Sequence, residues 1–381
     1  MKIGYDAKRL FANFTGLGNY SRTLVKNFAQ YETNAEISLF TKRGAGSQPE
    51  LQEFLTDRYK IMQPSGFSPL WRQRGVCKDI KASGVELYHG LSHELPIGIQ
   101  KCGVPSVVTM HDVCYRTFPR MFSATERAIY GVKYRNACKY SDKIIAISQS
   151  TKDDVLNYFD VEPEKVEVLY QSINPQFYGS IKPHRAQKII QQYGIMDDFM
   201  LYVGSINSRK NLLGIIRAFA SLDRGHRVPL VVIGRGREYK EKCMREAVRL
   251  KVQSEIKIIE NVHSMETLQA FYSQAQLMVY PSFYEGFGLP VTEAILSGCP
   301  VITSNVSSLP EAGGSAALYV EPSSVEQIAS AMIKILDMNP LQRAALSKSG
   351  REEALQKFSP EALTSGLSGL YKSLIQGTSK K

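Results

Sequence analysis

The sequence has no run of about 18 apolar residues, the length that a membrane-spanning helix requires. The stretch from Met1 to Asp6 lacks the apolar segment of a signal peptide, so we expect no secretory leader. Six cysteines lie far apart without a Cys-x-x-Cys pair, which argues against a structural zinc site and against a disulfide framework. These absences favour a soluble protein of the cytoplasm, where peripheral contact with the cytoplasmic face of a membrane stays open.

Positive charge is not concentrated in one segment. The chain has 47 Lys and Arg residues against 36 Asp and Glu residues, a formal charge of +11, and this excess is spread over both halves. Because no RNA- or DNA-binding motif accompanies the charge, we expect no nucleic-acid partner. A hydrophobic content of 43% is typical of a globular protein, and 381 residues suit two domains.

Short β-branched runs alternate with amphipathic stretches, the pattern of a parallel sheet covered by helices. The strands predicted in the first half are 2–5, 37–41, 85–88, 104–110, 143–147 and 166–169. Those predicted in the second half are 199–203, 230–233, 256–259, 277–280, 301–303 and 318–320. The fold class is therefore α/β, with two Rossmann-like, doubly wound domains expected to face each other across a cleft.

Domain boundaries follow from the polar, turn-forming stretch after residue 169. We expect an N-terminal Rossmann-like domain over residues 1–172 and a C-terminal Rossmann-like domain over residues 173–358. Residues 359–381 are expected to form a helix that packs back towards the N-terminal domain.

Two polar motifs follow strands of the first half. Gly16 and Gly18 precede a predicted helix, where glycine lets the backbone approach a diphosphate. A dinucleotide fingerprint would need a third glycine at Ser21, so NAD is not expected. His111 and Asp112 end the apolar strand 104–110. His111 either faces a ligand or bonds a loop carbonyl, and this local context does not separate the two.

A basic pair follows the first strand of the second half. Arg209 and Lys210 stand just before a predicted helix, where cations oppose the helix dipole. An anion bound between them explains this placement, and a diphosphate fits. The alternative is a solvated, charged turn.

The most specific motif combines two acids and two glycines. Glu285 is expected on a loop and Glu293 one turn into the following helix, with Gly286 and Gly288 beside the first acid. Paired carboxylates could act in glycoside hydrolysis, but that reaction needs an acid with a raised pKa. A glycine-rich anion nest favours two ionised carboxylates instead, which accept hydrogen bonds from sugar hydroxyls.

Together these residues resemble family 4 of the retaining glycosyltransferases, which have the GT-B fold. The resemblance covers nearly the whole chain, and its most specific element is the Glu-x7-Glu spacing of Glu285 and Glu293. The segment from Ser304 to Glu311 is similar to that of mannosyltransferase-like bacterial members. Many members have Arg at the position of Ser205, so here the phosphate charge would rest on the basic pair.

The resemblance implies that the first domain binds the acceptor and the second the nucleotide-sugar donor, and it implies roles for individual residues. The residues implied in catalysis are His111, Arg209, Lys210 and Glu285. The residues implied in donor binding are Gly16, Gly18, Gly286, Phe287, Gly288, Leu289 and Glu293. In these roles Glu285 meets hydroxyls of the transferred sugar, Glu293 meets the ribose, and the basic pair neutralises the diphosphate.

The implied reaction moves a hexose, mannose favoured, from a nucleotide-diphosphate sugar to a glycan or lipid-linked saccharide. GDP-mannose is favoured over a UDP-sugar, and the product would belong to a cell-surface polysaccharide or glycoconjugate. The sequence contains no Asp-x-Asp motif, so we expect no metal and no cofactor. The rival interpretations are a nucleotide-sugar epimerase, a sugar phosphorylase and a non-catalytic donor-binding protein.

A basic segment in the first half is a second candidate surface. It contains Trp71, Arg72, Arg74, Lys78 and Lys81, and Arg116, Arg120 and Arg127 follow it. This set could approach an anionic membrane or a polyprenyl-diphosphate acceptor. The alternative, a solvated helix face, is slightly favoured.

Overall fold

The two halves of the chain form separate α/β units. The structure, a computed structural model, describes residues 1–42, 48–66, 68–262 and 264–378. Unit 1 comprises Met1–Ser172 together with Phe358–Lys381, of which residues 379–381 lie outside the described part. Unit 2 comprises Ile173–Lys357.

Within the described residues, unit 1 contains a seven-stranded parallel sheet in the order β3-β2-β1-β4-β5-β6-β7. The strands are β1 (Lys2–Asp6), β2 (Glu36–Phe40), β3 (Tyr59–Met62), β4 (Leu87–Gly90), β5 (Ser106–Met110), β6 (Lys143–Ala146) and β7 (Val166–Val168). The helices before the boundary are α1 (Lys8–Ala12), α2 (Gly16–Tyr31), α3 (Pro49–Gln52), α4 (Val76–Ser83), α5 (Cys114–Thr117), α6 (Ala124–Tyr140) and α7 (Gln149–Tyr158). A short π-helical turn, Trp71–Gly75, leads into α4.

Burial explains which strands the sequence pattern detects. Every residue of β4 and β5 is buried, as expected for central parallel strands that are covered on both faces. By contrast, β3 lies at the sheet edge and none of its residues is fully buried. The sequence pattern misses β3 because an edge strand needs no continuous apolar run.

Unit 2 repeats the plan with six parallel strands in its described part, in the order β10-β9-β8-β11-β12-β13. The strands are β8 (Met200–Val203), β9 (Leu230–Ile233), β10 (Ile256–Ile259), β11 (Leu277–Tyr280), β12 (Val301–Ser304) and β13 (Ala317–Val320). The helices are α8 (Pro183–Gln191), α9 (Leu212–Ser221), α10 (Glu238–Arg249), α11 (Met265–Gln274), α12 (Leu289–Leu296), α13 (Leu309–Gly313), α14 (Val325–Leu336) and α15 (Pro340–Lys357). The predicted class, two doubly wound α/β domains, is confirmed.

The last helix, α16 (Pro360–Thr378), belongs to unit 1. Its Tyr371 is fully buried, and the Tyr371 hydroxyl lies 2.6 Å from Nδ1 of His89 on β4. The Tyr371 ring also packs against Phe28 of α2, with centroids 5.3 Å apart. This helix therefore covers part of the core that the first 172 residues build.

Each sheet reverses its strand order at one place. In unit 1 the chain reverses between β1 and β4, and in unit 2 between β8 and β11. Ligands of doubly wound sheets bind beyond the carboxyl ends of the strands at such switch points. The loops after β8 and β11 carry the basic pair and Glu285, so these residues lie where the fold favours a ligand.

Candidate active site

The turn that carries the basic pair is held by two asparagines. Arg209 and Lys210 lie in a 3-10 turn, and Asn207 Oδ1 accepts a hydrogen bond from the Lys210 amide at 3.2 Å. Asn211 follows in the left-handed region with φ of 58° and caps α9 by accepting from the Gly214 amide. Its Nδ2 donates to Pro281 O at 3.2 Å, which ties the turn to the loop after β11.

Glu285 lies between the two cations. Its Oε1 is 2.8 Å from Lys210 Nζ, and its Oε2 is 2.8 Å from an Arg209 guanidinium nitrogen. The Tyr280 hydroxyl at the end of β11 donates to Oε1 at 2.9 Å and also contacts Lys210 Nζ. The structure therefore brings together three of the four predicted catalytic residues and adds a tyrosine that the sequence analysis missed.

The cluster holds Glu285 ionised. Burial by itself raises the pKa of this carboxyl, but Lys210 and Arg209 outweigh burial and lower the pKa to about 2. Burial also lowers the pKa of Lys210, and the Glu285 charge opposes that shift. The anion predicted between the two cations is, in the structure, the Glu285 carboxylate.

Two serines fix the loop that carries Glu285. The Glu285 amide donates to Ser307 Oγ at 3.0 Å, and Ser308 Oγ lies 2.8 Å from the carbonyl oxygens of both Glu285 and Phe287, to either of which its single proton can be donated. Ser307 itself has φ of 52°. Both serines belong to the 304–311 segment of the family resemblance, which was the available sequence signal for them.

Gly288 and Leu289 form the start of α12. Gly288 is the residue before the helix, has φ of 109°, and a Cβ there would lie 2.9 Å from a Leu309 methyl carbon. Leu289 is the first helical residue, so the predicted donor-binding stretch from Gly286 to Leu289 ends at a helix N-terminus. Helix N-termini favour anionic ligands through backbone N–H groups and the helix dipole.

Glu293 is in a different state from Glu285. It lies one turn into α12, as predicted, and accepts a hydrogen bond from the Tyr272 hydroxyl of α11 at 3.1 Å. Burial raises the pKa of Glu293 to about 7, against the lowering effect of the Tyr272 bond. The expected pair of ionised carboxylates therefore holds for Glu285 and only in part for Glu293, because no cation contacts Glu293 among the described residues.

Replacing Glu293 with glutamine is expected to remove a pH dependence of stability. A carboxyl whose pKa rises from 4.5 to about 7 on folding favours the folded state most below pH 4.5, and this contribution disappears as the pH rises through 7. The loss amounts to about 3 kcal/mol at most. Thermal unfolding between pH 5 and pH 8 should therefore show a shallower decline for E293Q than for the parent protein.

The exposed Glu238 of α10 offers a matched control. E238Q should follow the parent curve, since the Glu238 side chain is exposed and its replacement leaves the buried core unchanged. Parallel curves for the parent and E293Q would show that burial does not perturb the Glu293 carboxyl.

His111 is buried in unit 1 and bonds a loop carbonyl. Its Nε2 lies 2.9 Å from Leu91 O, and burial lowers its pKa to about 3. Because a carbonyl only accepts, Nε2 carries the proton and the ring is neutral. Its ring packs edge-on against Tyr20 with centroids 4.5 Å apart. Of the two predictions left open for His111, the contact with a loop carbonyl is present.

Gly16 and Gly18 both lie in the first turn of α2, and their surroundings differ. A Cβ on Gly18 would lie 1.7 Å from Asn13 O, whereas a Cβ on Gly16 would meet nothing within 4 Å. The structure thus gives Gly18 a packing reason to be glycine. Gly16 has open space above it, where a ligand could approach the backbone.

The basic segment of unit 1 is only partly exposed. Trp71 is 4% exposed and donates from its indole nitrogen to Asp79. Arg72 pairs with Asp6 at 2.6 Å and also with Glu94. The prediction of an exposed basic surface is therefore wrong for Trp71 and Arg72, because Trp71 is buried and bonded to Asp79, eight residues on, and Arg72 is paired with Asp6 and Glu94. The remaining members are exposed, namely Arg74, Lys78, Lys81, Arg116, Arg120 and Arg127.

Two features are absent from the described residues. None of the helices in the described ranges is both long and apolar enough to cross a membrane. Across the same ranges, no cluster of three or more His, Cys, Asp or Glu residues is arranged to hold a metal ion.

Solved structures identify the class of fold. The Anabaena protein HepE, crystallised with UDP and glucose, matches with a TM-score of 0.74 and 17% identity, over 98% of this chain and 100% of its own. The two Rossmann-like units are therefore those of a GT-B protein, as the sequence resemblance implies.

Sequence comparison then identifies the family. Residues 14–177 match the model of Glycosyltransferase Family 4, and residues 186–353 match that of Glycosyl transferases group 1. O-antigen chain mannosyltransferase B of Escherichia coli is 28% identical over 98% of this chain and 100% of its own length. Lipopolysaccharide glucosyltransferase WaaG of Escherichia coli is 28% identical over 60% of this chain and 64% of its own. The chain belongs to family 4 of the glycosyltransferases and is an enzyme of that class.

Proposed function

We propose that this glycosyltransferase transfers a hexose, mannose favoured, from a nucleotide-diphosphate sugar to a glycan or lipid-linked saccharide. GDP-mannose is the favoured donor over a UDP-sugar, and the product belongs to a cell-surface polysaccharide or glycoconjugate made in the cytoplasm. The Escherichia coli relative named as an O-antigen chain mannosyltransferase supports the sugar and the pathway class. The WaaG relative, named as a glucosyltransferase, makes glucose the alternative hexose.

The observation that carries this proposal is the contact of Glu285 with both Arg209 and Lys210. A lysine ammonium has three N–H hydrogen-bond donors and a guanidinium has five. Both cations therefore have more N–H groups than one carboxylate uses. In the proposed complex the two cations stabilise the charge that develops on the leaving diphosphate. Glu285, held as a carboxylate, accepts hydrogen bonds from hydroxyls of the transferred sugar, and Glu293 does so from the ribose.

The protonation states of His111 and Glu285 support a retaining mechanism in which neither residue acts as the base, and Glu293, whose pKa is about 7, is assigned to the ribose and not to the acceptor. His111 is neutral with a pKa of about 3, and Glu285 has a pKa of about 2, so neither binds a proton strongly near pH 7. We propose that the acceptor attacks from the face that the leaving group departs from. The acceptor oxygen then bonds to the anomeric carbon, the bond to the diphosphate breaks, and a phosphate oxygen takes the acceptor proton.

We further propose that the reaction needs no divalent metal. Activity with GDP-mannose or another donor should be unchanged in excess EDTA, because Arg209 and Lys210 take over the charge stabilisation that Mg²⁺ gives other transferases. A metal-dependent transferase assayed in parallel verifies that the chelator works. Loss of turnover in EDTA, restored by added Mg²⁺, would contradict metal independence and leave the transferase assignment in place.

Two rival functions would give different results when the protein is incubated with the same panel of nucleotide sugars. An epimerase would return a nucleotide sugar of changed configuration, and a non-catalytic binder would give a thermal shift without turnover. A transferase should release the nucleoside diphosphate and, without an acceptor, hydrolyse the donor slowly. Product analysis after incubation with GDP-mannose, GDP-fucose, UDP-glucose and UDP-galactose separates these cases.

Peripheral membrane contact through the exposed basic side chains of unit 1 is part of the proposal. Arg74, Lys78, Lys81, Arg116, Arg120 and Arg127 supply the positive charge that an anionic membrane attracts. Flotation with anionic vesicles tests this membrane contact. Absence of the protein from the vesicle fraction at low salt would contradict it.

A further inference from the structure

Unit 1 contains a cavity whose lining residues have no role in the proposed reaction. A groove of about 500 Å³ lies between the Trp71–Gly75 turn, the loop after β4 and helix α6. This volume is within the range of ligand pockets, roughly 300–1,000 Å³. Its walls are aliphatic and consist of Leu95, Pro96, Ile97, Ala128, Ile129 and Val132. We call it the unit 1 groove.

The walls of the groove expose large apolar side chains to solvent. Ile97 is 51% exposed, Ile129 is 47% exposed and Val132 is 66% exposed. A contiguous apolar patch of this kind marks a binding surface, since exposing it to water carries a free-energy cost. No aromatic side chain lines the groove among the described residues, so it offers no ring face for stacking. The walls suit a flexible hydrocarbon chain.

The floor of the groove carries charges that neutralise one another. Arg72 bonds Asp6 at 2.6 Å and also Glu94, while Lys133 Nζ lies 2.9 Å from the other Glu94 oxygen. Arg72 and Lys133 lower the pKa of Glu94 to about 2 against the effect of burial, which keeps the network ionised. An apolar chain lying over paired charges therefore meets no uncompensated carboxylate.

One acceptor atom in the groove lacks a partner. Gln73 Oε1 is buried and has no hydrogen-bond partner within the described part of the chain. A buried acceptor without a donor costs free energy, and a hydroxyl or amide of a ligand would satisfy it. The groove thus combines aliphatic walls with the polar side chains of Gln73 and Asn136 above a charged floor, a combination that suits an amphiphile.

The groove adjoins the part of unit 1 that holds His111. Glu94 in the floor follows His93, whose Nδ1 accepts from the His111 amide at 3.4 Å. The His93 and His111 rings lie 5.1 Å apart between centroids. Both residues follow central strands, β4 and β5, at their carboxyl ends. A hydrocarbon chain in the groove would therefore lie close to the residues that contact His111.

We propose that the unit 1 groove binds the hydrocarbon portion of a lipid-linked saccharide acceptor. Gln73 lines the groove and, in the proposed complex, turns its unpartnered Oε1 towards a donor group where the hydrocarbon joins the polar head. The proposal rests on the proposed transferase function and narrows its acceptor from a free glycan to a lipid-linked one.

The test compares two probes that share a sugar and differ in their chain. Octyl α-mannopyranoside, below its micelle concentration, and methyl α-mannopyranoside are titrated while fluorescence is recorded. Trp71 is the only tryptophan of the chain and begins the turn whose Arg72 and Gln73 line the groove. Each buried CH₂ group strengthens binding about fourfold, so the octyl probe should bind at least tenfold more tightly.

Two helix substitutions of the same kind identify the place of binding. V132D puts a charge into the groove wall and should reduce the preference for octyl to less than threefold. V248D changes a valine on α10 that is 58% exposed, outside the groove, and should keep the full preference. Thermal unfolding verifies that both variants are folded, and I129D repeats the test at a second wall position.

Each result either supports or overturns the groove assignment. Equal affinity for the two probes, or a preference that survives both V132D and I129D, would overturn it. Self-association that V132D abolishes would assign the groove to a second copy of this chain, and binding to anionic vesicles without an octyl preference would assign it to a membrane surface. Both outcomes would also overturn the proposal.

Donor turnover separates failure of the groove from failure of the function. A chain that hydrolyses a nucleotide sugar but binds both probes equally would overturn the groove alone. A chain that prefers the octyl probe but turns over no donor would overturn the transferase function, while its hydrocarbon site would be supported.

Discussion

Replacing Lys210 with alanine should lower kcat/KM by about 10²-fold or more, the scale of losing one electrostatic stabiliser. The Lys210 ammonium contacts Glu285 at 2.8 Å and also Tyr280, so its removal takes away one of two cations in the cluster. Arg209 still neutralises the carboxylate, at 2.8 Å. We therefore expect a folded variant with reduced stability, assayed by initial rates well below its unfolding temperature.

Two further variants show whether the K210A effect belongs to the charge. K188A removes an exposed lysine from α8 of the same unit and should keep the parent rate. K210M keeps most of the side-chain volume without the charge and should be as impaired as K210A. A kcat/KM close to the parent value in K210A would remove Lys210 from the mechanism.

Replacing Gly18 with alanine should destabilise unit 1 by about 3 kcal/mol or more, the upper end of the range for overpacking. The new Cβ would lie 1.7 Å from Asn13 O and 2.6 Å from Asn13 C, both backbone atoms that cannot rotate away. The start of α2 or the loop before it must shift. Calorimetry should show a fall in Tm of roughly 6–12 °C, at 2–4 °C per kcal/mol.

Gly16 provides the matched control for the same substitution. A Cβ there meets nothing within 4 Å, and alanine favours a helix more than glycine does. G16A should therefore keep the parent Tm or raise it slightly. If a phosphate approaches this backbone, G16A should weaken donor binding without loss of stability. An unchanged Tm in G18A would contradict the packing role of Gly18.

The sequence predicts the site best where the fold itself dictates position. Parallel sheets place the loops after β8 and β11 side by side, so a basic pair and an acid that follow those strands had to come close. The contact between Lys210 and Glu285, 75 residues apart, follows from that rule. The sequence did not predict that the basic pair would contact Glu285 itself. Spacing in the sequence cannot distinguish a carboxylate partner of the two cations from a bound diphosphate.

Burial and distant partners explain the remaining errors. The sequence could not show that Asp6 would neutralise Arg72 from 66 residues away, so a paired arginine was interpreted as a surface charge. Nor could it show that Glu293 would face a tyrosine hydroxyl rather than a cation. Such environments depend on tertiary packing, and their effects on pKa values emerge only with the structure.

The position of α16 has a consequence for how the protein is made. Unit 2 is continuous from Ile173 to Lys357, whereas unit 1 needs the residues from Phe358 onward. A nascent chain leaves the ribosome N-terminus first, so unit 2 can finish folding while Phe28 and His89 still lack their contacts with Tyr371. A nonsense mutation after Lys357 would leave unit 2 complete. Unit 1 would then lack α16, the helix that covers part of its core.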